Sequence, residues 1–159
     1  MTAWAERHAG ATRDVCRRTL LELALADERV FCLDSDMGGL EEAIGPELGD
    51  RYVNLGIAEA NLMTVAAGLA SSGKVVFVHT MASFASTRAA EQVKLDVVAN
   101  HLPVKIVATH GGVAAGHFGP THFALEDLAI MRALPGMTVV VPADAVEADL
   151  AMRAAAALP

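Results

Sequence analysis

Apolar positions fall in two alternating rhythms along the chain. Over residues 11–26, Val15, Cys16, Thr19, Leu20 and Leu23 share one helical face. Residues 30–33 are an unbroken apolar run, the mark of a strand, and Asp34, Ser35 and Asp36 end it. A short helix over 40–48 follows Gly38 and Gly39, then a strand over 52–55 and a helix over 58–72 closed by Gly73. The pattern continues with a strand at 74–78, a helix at 83–100 and a strand at 104–108. A Gly-rich loop occupies 111–119. A helix at 125–134, a fifth strand at 137–141 and a helix at 143–158 complete the reading.

Strands this apolar are covered on both faces, which requires parallel strands joined by crossover helices. The expected fold is an α/β three-layer sandwich with a mainly parallel sheet. In such sheets ligands gather at the carboxyl ends of the strands. The irregular segments there are 34–39, 56–59, 80–84 and 109–122.

Composition narrows the partners. Just over half of the 159 residues are hydrophobic, enough for a sizeable core in one domain. The net charge of −7 comes without a Lys/Arg cluster, which argues against nucleic acid and anionic membrane as partners. No apolar run reaches the roughly 20 residues a membrane helix needs, and the polar, charged start reads as having no signal peptide. Cys16 and Cys32 read as reduced core thiols, so the expected location is cytoplasmic.

Several residues carry chemistry. Glu59 opens a helix inside an otherwise apolar run, with Ile57, Ala58, Leu62 and Met63 around it. A helix dipole favours an acid there. Its apolar surroundings also suit a desolvated carboxyl able to share a proton with a ring nitrogen. Four of the six histidines, His79, His110, His117 and His122, lie at strand ends or in the Gly-rich loop. They lack accompanying Cys or acidic ligands at a zinc spacing, so no metal site is assigned to them. His79 reads as a satisfied strand-end histidine. The loop is neither a Walker loop nor a dinucleotide fingerprint. Phe84, also at a strand end, is a core residue or a ring-stacking platform.

These stretches, from Asp50-Arg51-Tyr52 through Gly56-Ile57-Ala58-Glu59, Phe84, Gly119-Pro120-Thr121-His122 and Pro142-Ala143-Asp144, resemble the pyrimidine-binding (Pyr) domain of transketolase-like thiamine diphosphate enzymes. The likeness runs from about Thr12 onward and is greatest to the carboxy-terminal subunits of split transketolases. It implies a thiamine diphosphate-binding Pyr-domain fold over 1–159, without its final strand and without the family's C-terminal domain. Glu59 then bonds N1′ of the cofactor's aminopyrimidine and Phe84 stacks on that ring. Asp36 and Met37 lie near the thiazolium, with Ile57 also at the cofactor. His110 contacts a substrate phosphate. His122 lines the substrate channel and, with Glu59, counts as catalytic; His117 and Phe118 belong to the same substrate loop.

The resemblance further implies transfer of a two-carbon ketol unit from a ketose or ketose phosphate to an aldehyde acceptor. The Pyr subunit is expected to work with a separate PP-domain subunit, which holds Mg²⁺ for the most part, and to self-associate. Two departures bear on substrate. Phe118 stands where the family has an acidic residue that reads a donor hydroxyl, and a ring cannot accept that bond. Leu40 stands where a phosphate-contacting serine is common. Alternatives are a deoxyxylulose-phosphate-synthase-like or 2-oxo acid dehydrogenase beta-like subunit, and a non-catalytic Pyr-type assembly module.

Overall fold

The computed structural model describes residues 8–159, and the charged start of the chain, with the signal-peptide expectation, lies outside them. The elements are α1 (Thr12–Ala26), β1 (Val30–Asp34), α2 (Leu40–Leu48), β2 (Tyr52–Asn54), α3 (Glu59–Ser71), β3 (Val75–Met81), α4 (Ala82–Ser86), α5 (Ala90–Gln92), β4 (Val104–Thr109), α6 (Asp127–Arg132) and α7 (Ala145–Ala157). The four strands form one parallel sheet in the order β2-β1-β3-β4.

Alternation along the central strands divides the core into two layers. Leu33, Val76 and Val78 face one cluster with Leu62, Met63 and Ala66 of α3 and with Val93. Cys32 and Phe77 face the other, with Leu20 of α1, Leu40 and Ile44 of α2 and Met152 of α7. This is the three-layer sandwich expected from the unbroken apolar runs. Leu40 is fully buried in that second cluster. It is therefore a core residue of this chain.

A side-chain network fixes α7 to α1. Thr19 Oγ1 donates to Asp149 Oδ1 at 2.7 Å, and Arg153 donates to both Asp149 and Glu22. Asp144 caps α7, its carboxylate accepting from the N–H groups of Val146 and Glu147.

Two expected elements take another form. The helix expected over 83–100 is broken. It consists of α4, a turn at 87–89, α5 and a π-helical stretch, Val93–Val98. Hydroxyls compete for the carbonyls at the break: Ser86 Oγ donates to Ala82 O at 2.8 Å and Thr87 Oγ1 to Ser83 O at 2.5 Å. The Ala89 N–H then reaches back five residues, to Phe84 O. The strand expected over 137–141 is not formed. β4 pairs only with β3 among the described strands, and Val140 and Val141 are exposed. An apolar run favours a strand, but a ladder also needs a neighbouring strand to bond.

Candidate active site

The loops at the carboxyl ends of β1, β2, β3 and β4 carry the expected site residues. After β2, Asn54 Oδ1 accepts the Gly56 N–H at 2.9 Å, and Gly56 takes φ of 70°, a left-handed turn suited to glycine. That turn sends the chain back so that α3 begins at Glu59. The Glu59 side chain is only 2% exposed. Leu62 and Met63 are fully buried beside it in sequence, whereas Ile57 is 73% exposed and does not help to enclose the acid, contrary to expectation.

Glu59 is not alone in its pocket. Arg88 Nη1 donates to Glu59 Oε2 at 2.8 Å, and the Arg88 side chain remains about half exposed. The guanidinium carbon of Arg88 lies 4.1 Å from the centroid of the Phe84 ring. Phe84 in turn meets His122 edge-on, with centroids 5.1 Å apart and planes at 72°. His122 lies against Phe118 at 4.8 Å and 21°, and Phe118 against His117 at 4.1 Å. Glu59, Arg88, Phe84, His122, Phe118 and His117 thus form one continuous chain of contacts from a buried carboxylate to an exposed loop.

That loop is closed by a pair of hydrogen bonds, Gly112 N–H to Ala124 O and Ala124 N–H to Gly112 O, both at 2.9 Å. Closure brings its two ends together, with His110 at one and His117 and His122 towards the other. Burial first, then Arg13 and these two rings, hold the His110 pKa below its usual value. His110 has φ of 59°, unusual for a residue with a side chain. His110 Nδ1 is hydrogen-bonded to Thr109 Oγ1 at 2.8 Å, and His122 Nδ1 to Thr121 Oγ1 at 2.9 Å. Which atom donates in each pair follows from the ring tautomer, and Nε2 of each ring is the nitrogen left outside the bond.

The loop after β1 is positioned by a buried acid that sequence reasoning read only as the end of a strand. Asp34 is 1% exposed; its Oδ2 accepts from Tyr52 Oη at 2.6 Å and its Oδ1 from the Met37 N–H at 3.0 Å. Burial raises its pKa, with those donors opposing the rise. This anchors the turn bearing Asp36 and Met37. Asp36 itself is exposed, with φ of 68°, and Met37 is half-buried. The structure does not show either one in contact with Glu59 or Phe84.

His79 differs from the expectation of a satisfied histidine. It is almost wholly buried, and its Nε2 finds no hydrogen-bond partner among the described residues. Burial, then the charge of Arg17, push its pKa down to about 3. Arg88 was also missed. Its signal was a cation four residues beyond Phe84, one helical turn from the ring, within a sequence read as plain helix. No group of three or more His, Cys, Asp or Glu placed to hold a metal ion occurs among the described residues.

Comparison with known proteins matches residues 8–159 to the family described as transketolase, pyrimidine binding domain. The chain is 41% identical over 137 residues to the 6-deoxy-6-sulfo-D-fructose transketolase subunit of Clostridium sp. (strain MSTE9), covering 85% of this chain and 42% of that protein. It is 43% identical over 136 residues to an apulose-4-phosphate transketolase subunit of Phocaeicola vulgatus, covering 82% of this chain and 44% of that one. A solved split-gene transketolase, described as an inactive beta4 tetramer, superposes with a TM-score of 0.82 at 41% identity, over 93% of this chain and 48% of that chain. The chain spans less than half the length of these relatives.

Proposed function

This chain belongs to the transketolase pyrimidine-binding family, and we propose that it is the Pyr part of a thiamine diphosphate-dependent enzyme that moves a two-carbon ketol unit from a ketose or ketose phosphate to an aldehyde acceptor. The observation that carries this reading is the pairing of a buried acid with an aromatic ring across one planar group. Glu59 and Phe84 both touch the Arg88 guanidinium, at 2.8 Å and 4.1 Å. The residues therefore fit an aminopyrimidine: a flat, hydrogen-bonding ring suits the same two partners.

In this reading Glu59 holds a proton for the ring nitrogen N1′, and its burial keeps water from competing for it. Phe84 supplies the stacking face. The cofactor supplies, when bound, the electron sink for breaking and making the carbon–carbon bond. His110 and His122, each with Nδ1 bonded to the preceding threonine, present Nε2 to substrate oxygens. Phe118 and His117 border the same channel. Asp36, Met37 and Ile57, on the neighbouring loops, complete the cofactor side.

The cofactor's diphosphate needs Mg²⁺ and oxygen ligands. A separate PP-domain subunit supplies them in this proposal, with the active site at the junction and the Pyr subunit self-associating. The beta4 tetramer described for the solved split-gene relative supports the self-association.

The test is to isolate the PP-domain partner by pull-down and assay the pair with ketose donors, aldehyde acceptors, thiamine diphosphate and Mg²⁺. Cofactor-dependent carboligation by the pair, absent from either chain alone, is the expected result. A pair that binds but never turns over any ketose or 2-oxo acid donor would leave only an assembly module.

A further inference from the structure

We propose that Arg88 is a built-in stand-in for the cofactor's aminopyrimidine, which it must vacate before the ring can bind. The inference rests on the reading of Glu59 and Phe84 given above and extends it to a third residue. A guanidinium and an aminopyrimidine are both planar, can stack on an aromatic ring and can hydrogen-bond a carboxyl group, the guanidinium as donor and N1′ as acceptor. Arg88 uses both properties. It donates to Glu59 Oε2 at 2.8 Å and lays its central carbon 4.1 Å from the Phe84 ring centroid. A ring stacked on this face of Phe84 while bonded to Glu59 would occupy the space the guanidinium now fills.

The arrangement has a physical rationale in the cofactor-free chain. A carboxylate 2% exposed is costly without a counter-charge, and Arg88 provides one. Arg88 is suited to leaving because its side chain is 47% exposed, so it can regain water. It sits in the turn between α4 and α5, where the Thr87 hydroxyl bonds Ser83 O and the Ala89 N–H reaches back to Phe84 O. Rotation of its side chain breaks the bond to Glu59 and leaves the backbone bonds of the turn in place. The exchange also changes what Glu59 faces. Arg88 only donates to it, whereas N1′ accepts, so the exchange takes up one proton from solvent and replaces an ion pair by a proton shared between Glu59 and N1′.

The sign of the effect makes the proposal testable. Removing a cation near an anionic cofactor would ordinarily weaken binding. If Arg88 competes for the ring's place, its removal tightens binding instead. The experiment is calorimetric titration with thiamine diphosphate and Mg²⁺ of the chain assembled with its PP-domain partner. Arg88→Ala is expected to lower Kd about tenfold. Arg88→Lys, which keeps the charge and loses the planar stack, should fall between Arg88→Ala and wild type, and it carries the test if Arg88→Ala does not fold. Glu59→Ala and Phe84→Ala, each placed on the Arg88→Ala background, should weaken binding again, because no competitor then remains.

The outcomes separate the two readings. Unchanged or weaker binding in both Arg88 variants, with the added Glu59 and Phe84 substitutions still weakening it, would overturn the stand-in and spare the site. No effect of the added substitutions would remove the aminopyrimidine site itself, and the stand-in with it.

Discussion

Phe118 and His122 lie face to face, their ring centroids 4.8 Å apart and their planes 21° from parallel. Phe118 is half exposed, so the stack forms an apolar lip on the loop proposed to meet the donor. A donor hydroxyl left without an acceptor there costs about 1–3 kcal/mol. That corresponds to roughly 5- to 150-fold in rate when felt at the transition state. Phe118→Asp is expected to raise the preference for a hydroxylated ketose over its deoxy or 2-oxo acid counterpart within that range. The measurement is the ratio of kcat/KM values in the assembled enzyme. A ratio that does not move would show that position 118 does not read the donor.

Glu59→Gln should abolish turnover, by at least about a hundredfold, while the chain stays folded. The amide keeps a polar group in the pocket but cannot hold the proton for N1′. Its structural cost is limited because the partner left behind, Arg88, is 47% exposed and can be hydrated. Thermal melting and carboligation of the variant, assembled with its partner, check both halves. Near-normal turnover would remove Glu59 from the mechanism.

Thiamine diphosphate should bind the free chain far more weakly than the assembled pair. The described residues include no group of three His, Cys, Asp or Glu placed for a metal, and the diphosphate is the cofactor's most charged part. Calorimetry of the chain with and without its PP-domain partner reads the difference. Equal micromolar affinity in both would mean that this chain carries its own diphosphate site.

Stability should fall as pH drops below about 6.5, in part through His79. Burial holds its folded pKa down to about 3, while the unfolded chain takes up a proton near the ordinary value of about 6.5. Between those values the unfolded state binds more protons, so one such group removes about 1.4 kcal/mol per pH unit on acidification. That slope vanishes above the unfolded pKa and ends below the folded one. His79→Leu should show a smaller loss of unfolding free energy between pH 6 and pH 4.5 in urea melts. Identical losses in wild type and variant would mean that His79 does not stay neutral in the fold.

The parallel three-layer architecture was legible because periodicity is a local property. Runs such as Val30–Leu33 and Val76–Val78 are apolar at every position, so both faces had to be covered. Glu59 and Phe84 were legible for a related reason: each is chemically out of place in its local run. Residues 137–141 have the same apolar character as a strand and form none, since a strand exists only where another offers its backbone groups. Likewise, the sequence over 83–100 reads as one helix, and only the hydroxyl-to-carbonyl bonds of Ser86 and Thr87 reveal the break.

The pattern of apolar and polar residues determined by itself the class of fold, the strand ends at which chemistry could gather, and the acid and ring worth watching. The tertiary structure alone decided what those groups face. Glu59 and Arg88 are 29 positions apart in the chain, and Phe84 and His122 are 38 apart. Contacts over such separations depend on how β2, β3 and β4 align in the sheet and on the bond pair that closes the loop at Gly112 and Ala124. The same holds for Leu40 and Ile57. Both are apolar, yet one fills the core and the other is exposed to solvent, because burial follows from which neighbouring element covers a residue rather than from its side chain alone.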